Sequence, residues 1–228
     1  MMITTMQAIR ERHSVRAYKE DPIKQSVREQ LDEEALKCSQ ESGLTFRIVY
    51  DDEKGFDSAL AHYGRFRNVR NYILIAASTK QNVDEKAGYY GERLVILAQQ
   101  LGLNTCWAAL TFNKREVRKH LTADERLIIV ISLGYGVDQG HPHRNKDIGK
   151  LAELREDDPQ WYRYGVEAAL QAPTAVNQQK FSISRQADLV SILPGGRGSL
   201  VALDLGIVKC NFELGAGKEN FRWEKSAV

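Results

Sequence analysis

The sequence predicts an α+β fold built from two diverged halves. Three observations carry that expectation: two continuous apolar runs of strand length, several segments with helical spacing, and a helix, loop and strand pattern that recurs late in the chain.

In chain order, MQAIRER at 6–12 reads as a short helix with Met6 and Ile9 on one side, and HSVRAY must leave it. SVREQLDEEALKC at 26–38 reads as a second helix. LTFRIVY at 44–50 alternates Leu44, Phe46, Ile48 and Tyr50 with smaller or polar neighbours, a strand pattern. NYILIAAS at 71–78 and RLIIVISLGYG at 126–136 are apolar throughout, as strands buried on both faces are. Between them, GERLVILAQQLGLN places Leu94, Leu97, Ala98 and Leu101 at i, i+3, i+4 and i+7, with Gly102 where a left-handed cap belongs. NKREVRKHL at 113–121 is a shorter, charged helix. PQWYRYGVEAALQ at 159–171 is a longer one, with Pro159 at its first position, and FSISR at 181–185 is a strand.

The recurrence is specific. EEALKCSQESGLTFRIV aligns with VEAALQAPTAVNQQKFSIS, and ERLVILAQQLGLNTCW with LDLGIVKCNFELGAGKENFRW, pairing Gly102 with Gly215. A first half at 1–150 and a second at 151–228, packed into one globular unit, is the expected division.

Thirty-two basic and thirty acidic residues leave a net charge of +2, too little to hold a nucleic acid by phosphate neutralisation. Any basic function must be local. No apolar run approaches a membrane span, and charge follows the first nine residues too soon for a secretory leader. Cys38, Cys106 and Cys210 stand far apart with no CxxC, which excludes a disulfide framework and points to a reduced, cytoplasmic setting. His141 and His143 form an HxH without a third ligand at metal spacing, and no metal is expected. PGGRGS at 194–199 lacks the strand and helix context of a dinucleotide loop and reads as a turn.

RERHSVRAY at 10–18 concentrates the basic chemistry. Extended or helical, residues 12–16 bring Arg12, Ser14 and Arg16 onto one side: two guanidinium forks and a hydroxyl that suit a phosphate monoester. A solvated basic turn, or a nucleic-acid patch, would carry the same residues. A second cluster, Arg144 and Lys146, follows the last long strand; by itself it reads as a surface loop, or it closes on the same anion. QAPTAVNQQKF at 171–181 gathers Thr174, Asn177, Gln178 and Gln179, a set that can read the edge of a heterocycle or simply make a polar turn. No catalytic Ser-His-Asp set or carboxylate pair stands out, and Cys106, beside Trp107, reads as core.

Taken together, Arg12-His13-Ser14-Val15-Arg16-Ala17-Tyr18, the GERLVILAQQLGLNTCW segment and IIVISLGYG followed by Arg144 and Lys146 resemble the FMN-dependent nitroreductase family. The resemblance implies a three-layer α/β/α fold with a mainly antiparallel central sheet. It also implies that Arg12, Ser14, Arg16, Arg144 and Lys146, with His13 alongside, bind the flavin phosphate and ribityl chain. Arg70 or Asn71 would supply a donor at the flavin N1/C2 edge. The family's flavin-contact loop, expected after the first long helix, is replaced there by SQESGLTF, whereas APTAVNQQKF in the second half matches it. That displacement is similar to a tandem-repeat branch of the family. It implies one FMN per chain, with Pro173, Thr174, Ala175 and Asn177 touching the ring, in a monomer that mimics the family dimer or in a homodimer.

The activity implied is a ping-pong transfer of electrons from NADH or NADPH to a nitroaromatic, quinone or similar small electrophile, without a protein acid or base. An FMN-binding, storage or regulatory protein lacking efficient turnover is the alternative. No nucleic-acid or membrane partner is expected.

Overall fold

Thr4 opens helix α1 (Thr5–Glu11) with a capping box: its side chain accepts the Gln7 amide at 3.2 Å, and the Gln7 side chain accepts the Thr4 amide at 3.0 Å. The computed structural model describes residues 3–78, 83–198 and 200–224, so Ser199 of the PGGRGS turn lies outside them. Helix α2 (Gln25–Ser42) outruns the expected 26–38 because its first left-handed stop is Gly43, at φ 74°. After strand β1 (Thr45–Val49) come a 3-10 turn (Glu53–Phe56), helix α3 (Ala59–Tyr63) and strand β2 (Asn71–Ala77). Helix α4 (Asp84–Gln100), strand β3 (Asn104–Ala108), helix α5 (Lys114–Val117) and strand β4 (Arg126–Gly134) complete the first half.

These strands form one antiparallel sheet in the order β1-β2-β4-β3. Alternation along β2 divides the core. Ile73, Ile75 and Ala77 join Leu31, Leu94 and Ala98 from α2 and α4 on one face. Tyr72, Leu74 and Ala76 meet Phe56, Phe66, Phe112 and Val117 on the other. The central sheet is therefore covered on both sides, which explains why its sequence is apolar without alternation.

The second half contains helix α6 (Gln160–Leu170), strands β5 (Phe181–Gln186) and β6 (Leu189–Pro194), helix α7 (Val201–Ala216) and the two-residue strand β7 (Arg222–Trp223). Its sheet runs β5-β6-β7, with β6 and β7 parallel. Pro159 stands at the cap, one position before α6. Gly215, which the sequence alignment paired with Gly102, lies inside α7, and the positive-φ residue that ends the helix is Gly217, at φ 76°.

α4 and α7 pack against each other at the centre of the molecule. A Cβ on Gly88 would lie 2.0 Å from the Leu203 carbonyl oxygen, and one on Gly206 would lie 1.9 Å from that of Glu85. Only glycine lets the two backbones meet here. Buried residues surround α7, from Leu203 and Leu205 to Ile207 and Phe212, as expected of a helix enclosed on all sides. Among the described residues no helix is long and apolar enough to cross a membrane.

Candidate functional site

At the end of α1 the backbone turns extended, with Arg12 at φ −70°, ψ 116°. The strip that follows lies between two others. Val15 N–H donates to Thr105 O at 3.1 Å, Arg67 N–H to Arg16 O at 2.9 Å and Tyr18 N–H to Arg67 O at 3.1 Å. Val15 and Tyr18 turn into the core, where the Tyr18 hydroxyl donates to the Val15 carbonyl at 2.6 Å and lies 2.7 Å from Ser132 Oγ. Ser14 and Arg16 consequently face outward together, as the extended alternative required.

They face a cleft with two lobes. The polar lobe, about 560 Å³, is lined by Arg12, His13, Ser14, Arg16, Arg65, Arg67, His141 and His143, with Pro173, Thr174 and Asn177 opposite. The second lobe, about 440 Å³, is walled by Trp107, Leu110, Ile129, Leu203, Ile207, Ala175 and the carboxyl of Asp204. Ser14, Arg16, Pro173, Thr174 and Val176 border both lobes, so the two adjoin. Each lobe draws residues from both halves of the chain.

Eight of the twelve residues anticipated from sequence line this cleft: Arg12, His13, Ser14, Arg16, Pro173, Thr174, Ala175 and Asn177. Arg144 and Lys146 border a neighbouring pocket of about 670 Å³ with Lys150 and Phe181. The intervening segment sends His141 and His143 to the cleft and Arg144 and Lys146 to the other side. The Lys146 ammonium is held by the Gln178 and Gln179 carbonyls at 2.6 and 3.1 Å, so it braces the 173–179 loop from behind. Asn177 links the two pockets by donating from Nδ2 to Arg144 O at 2.8 Å.

Arg70 and Asn71 do not reach the cleft. Arg70 pairs with Glu53 at 2.6 Å and lines a separate pocket beside Phe56 and His62. Asn71 is buried at the start of β2 and accepts the Asp51 amide at 3.1 Å. Arg65 and Arg67 stand at the cleft in their place, both exposed, on a loop shaped by left-handed Arg65 and Asn68 (φ 63° and 54°). The alternation in GRFRNVR was the available signal, since Phe66 and Val69 are buried between the arginines.

Behind the cleft, Arg12 is nearly enclosed, and its Nε lies 4.0 Å from Glu92 Oε1 on α4. Glu92 is fully buried and accepts Trp107 Nε1–H at 3.1 Å and Asn211 Nδ2–H at 3.1 Å. Burial outweighs these partners and pushes its carboxyl up to about 7; the same burial lowers the Arg12 pKa. Burial, then the Arg12 charge, also lowers the His13 pKa. The Cys106 thiol is raised by burial, against a thiolate nucleophile. His143 Nε2 lies 3.0 Å from Leu170 O and 2.9 Å from Asn145 Oδ1, so it carries a proton and donates. Among the described residues no group of three His, Cys, Asp or Glu side chains is placed to hold a metal.

A cleft with a cationic and a largely apolar lobe, beside an antiparallel sheet covered by helices, places the chain among α+β proteins with a pocket able to take a small ligand. The family follows from the sequence: residues 4–216 match the family model described as "Putative TM nitroreductase", and the chain belongs to that family. A "putative nitroreductase" from Thermotoga maritima superposes with TM-score 0.69 at 21% identity, covering 100% of this chain and 92% of that one. A nitroreductase with bound FMN from Desulfitobacterium hafniense gives 0.56 at 17% identity, covering 68% of this chain and 100% of that one. A "putative NADH dehydrogenase/NAD(P)H nitroreductase" from Parabacteroides distasonis gives 0.52 at 22%, covering 68% and 98%. No curated protein matches the sequence.

Proposed function

We propose that this nitroreductase-family oxidoreductase binds one FMN per chain in the two-lobed cleft and uses it to pass electrons from NADH or NADPH to nitroaromatic, quinone or similar electrophiles. The observation that supports the reading is that the two lobes adjoin along Ser14, Arg16, Pro173 and Thr174, one lined by basic and hydroxyl side chains and the other mainly by apolar ones. The donor set fits a ribityl phosphate: two guanidinium groups, a hydroxyl and imidazoles converge on one lobe. The slot fits a tricyclic ring, with Trp107, Ile129, Leu203 and Ile207 among its walls. The FMN-bound relative supports the same cofactor.

FMN, when bound, supplies the two-electron exchange. Arg16 and Ser14 hold the phosphate end, and Arg12, steadied by Glu92, adds charge from below. Arg65 and Arg67 add positive charge to the phosphate lobe. Pro173, Thr174 and Ala175 wall the ring lobe, and donor and acceptor would react there in turn, a ping-pong order. A nicotinamide donor is supported by the name of the Parabacteroides distasonis relative.

The division at 150 belongs to the same proposal. α2-β1-β2-α4-β3 in the first half and α6-β5-β6-α7-β7 in the second run in the same order, and β1-β2 and β5-β6 are both antiparallel pairs. We infer an internal duplication in which the second half plays the part of the family's partner subunit, so a single chain completes the cleft.

Visible absorbance after reconstitution tests the reading. The expected result is a flavin spectrum at one FMN per chain; a protein that takes up none, or two, refutes it. Arg16→Ala is expected to weaken FMN binding on the order of 10- to 100-fold, the worth of a charge-assisted contact to phosphate. NADH or NADPH oxidation with a quinone then separates an enzyme from a storage protein, which would give the spectrum without turnover.

A further inference from the structure

The 173–179 loop is built in an unfavourable backbone. Val176, Asn177 and Gln179 all have positive φ, at 47°, 54° and 41°. Val176 is β-branched and 98% exposed, so no packing of its own compensates. Such a segment persists where its surroundings over-determine it, and such segments cluster at ligand clamps.

Most of its restraints tie the loop to residues 144–146 or to itself: Asn177 on Arg144 O, Lys146 on the Gln178 and Gln179 carbonyls, Gln179 N–H on Thr174 Oγ1 at 3.1 Å, and the buried Gln179 side chain, which accepts the Lys146 amide at 2.7 Å and donates to Asn145 Oδ1 at 2.6 Å. Asp204, in the first turn of α7, differs. It is 4% exposed, and its carboxylate accepts the Ala175 amide at 3.0 and 3.2 Å and Gln178 Nε2–H at 2.7 Å. The same carboxyl lines the apolar lobe beside Ala175, Val176 and Gln178. Its anchor, α7, is fixed against α4 by the Gly88 and Gly206 contacts. Burying a carboxylate costs desolvation that an apolar residue would not, and the bonds from Ala175 and Gln178 offset that cost.

We infer that Asp204 is the positioning residue for this loop: it ties Ala175 and Gln178 to α7, and so sets the wall against which the flavin ring lies. The second clause rests on the proposed FMN site; the first does not.

Two measurements separate them. Amide exchange by NMR, on protein without added flavin, compares Ala175 with Ile131 in the central strand β4 for the native chain, Asp204→Ala and Asp204→Asn. Expected is exchange at Ala175 on the order of 10- to 100-fold faster in Asp204→Ala, the worth of hydrogen bonds to a charged acceptor. Asp204→Asn should be intermediate, because its carbonyl can still accept the Ala175 amide while its NH2 opposes that of Gln178. Ile131 should be unchanged in both. Ala175 exchange equal to the native chain, or rising only in step with Ile131 in both variants, overturns the anchor. FMN titration by fluorescence quenching should give the same order, with Asp204→Ala weakest; faster Ala175 exchange at unchanged affinity overturns the wall. A native chain that binds no FMN refutes the cofactor reading, while the exchange measurement still decides the anchor.

Discussion

Gly206→Ala is expected to destabilise the fold by about 3 kcal/mol even though alanine is the better helix former by about 1 kcal/mol. The added Cβ would sit 1.9 Å from the Glu85 carbonyl oxygen and 2.6 Å from the Tyr89 amide nitrogen. Both are backbone atoms inside α4, so no rotamer change relieves the clash; one helix must move. Movement here spreads outward, because α4 carries Glu92 behind the polar lobe, while α7 carries Asp204 and Ile207 in the apolar lobe. Urea midpoints measure the stability change, and FMN affinity should fall with it. An unchanged or higher midpoint would mean that the two helices do not approach this closely.

Much of this architecture could be read from residue patterns. The central strands β2 and β4 were visible because burial on both faces leaves an uninterrupted apolar run, and α4 because a repeating stripe faces the sheet. The strip at 12–16 was legible in either conformation, since both gathered the same three side chains. What escaped was created by long-range pairing. β7 has only two residues and exists through its partner β6. The alternation in GRFRNVR signals that Arg67 is exposed, but it reaches the cleft through backbone bonds to Arg16 and Tyr18, some fifty positions earlier, a pairing that local pattern does not state. Arg144 and Lys146 were sound candidates by charge, but the alternation of the extended chain turned them away and brought in His141 and His143. Asp204 was not singled out by the sequence, because its bonds to Ala175 and Gln178 are made only once the 173–179 loop folds over α7.

Wild-type protein is expected to lose stability between about pH 4.5 and 7 through Glu92, and Glu92→Gln should remove that loss. Burial holds the Glu92 carboxyl at about 7, against an ordinary value of 4.5. Its folded value is raised, so the folded chain binds the extra proton in this window. The stabilisation is fully present below about 4.5 and is lost as pH rises through 7. The difference corresponds to about 3 kcal/mol. Subtracting the variant's urea stability from that of the native chain at pH 5 and pH 8 isolates this group from the other titrating residues. The difference should move against the native chain as pH rises, even though the amide leaves Arg12 without its counter-charge at both values. Trp107 gives an independent signal, because its indole N–H donates to Glu92 Oε2. Native emission should change about a midpoint near pH 7, where the folded carboxyl titrates, and the change should vanish in Glu92→Gln. Parallel pH profiles for the two proteins would show that Glu92 stays ionised throughout, and that Arg12, despite its 4.0 Å separation, outweighs burial.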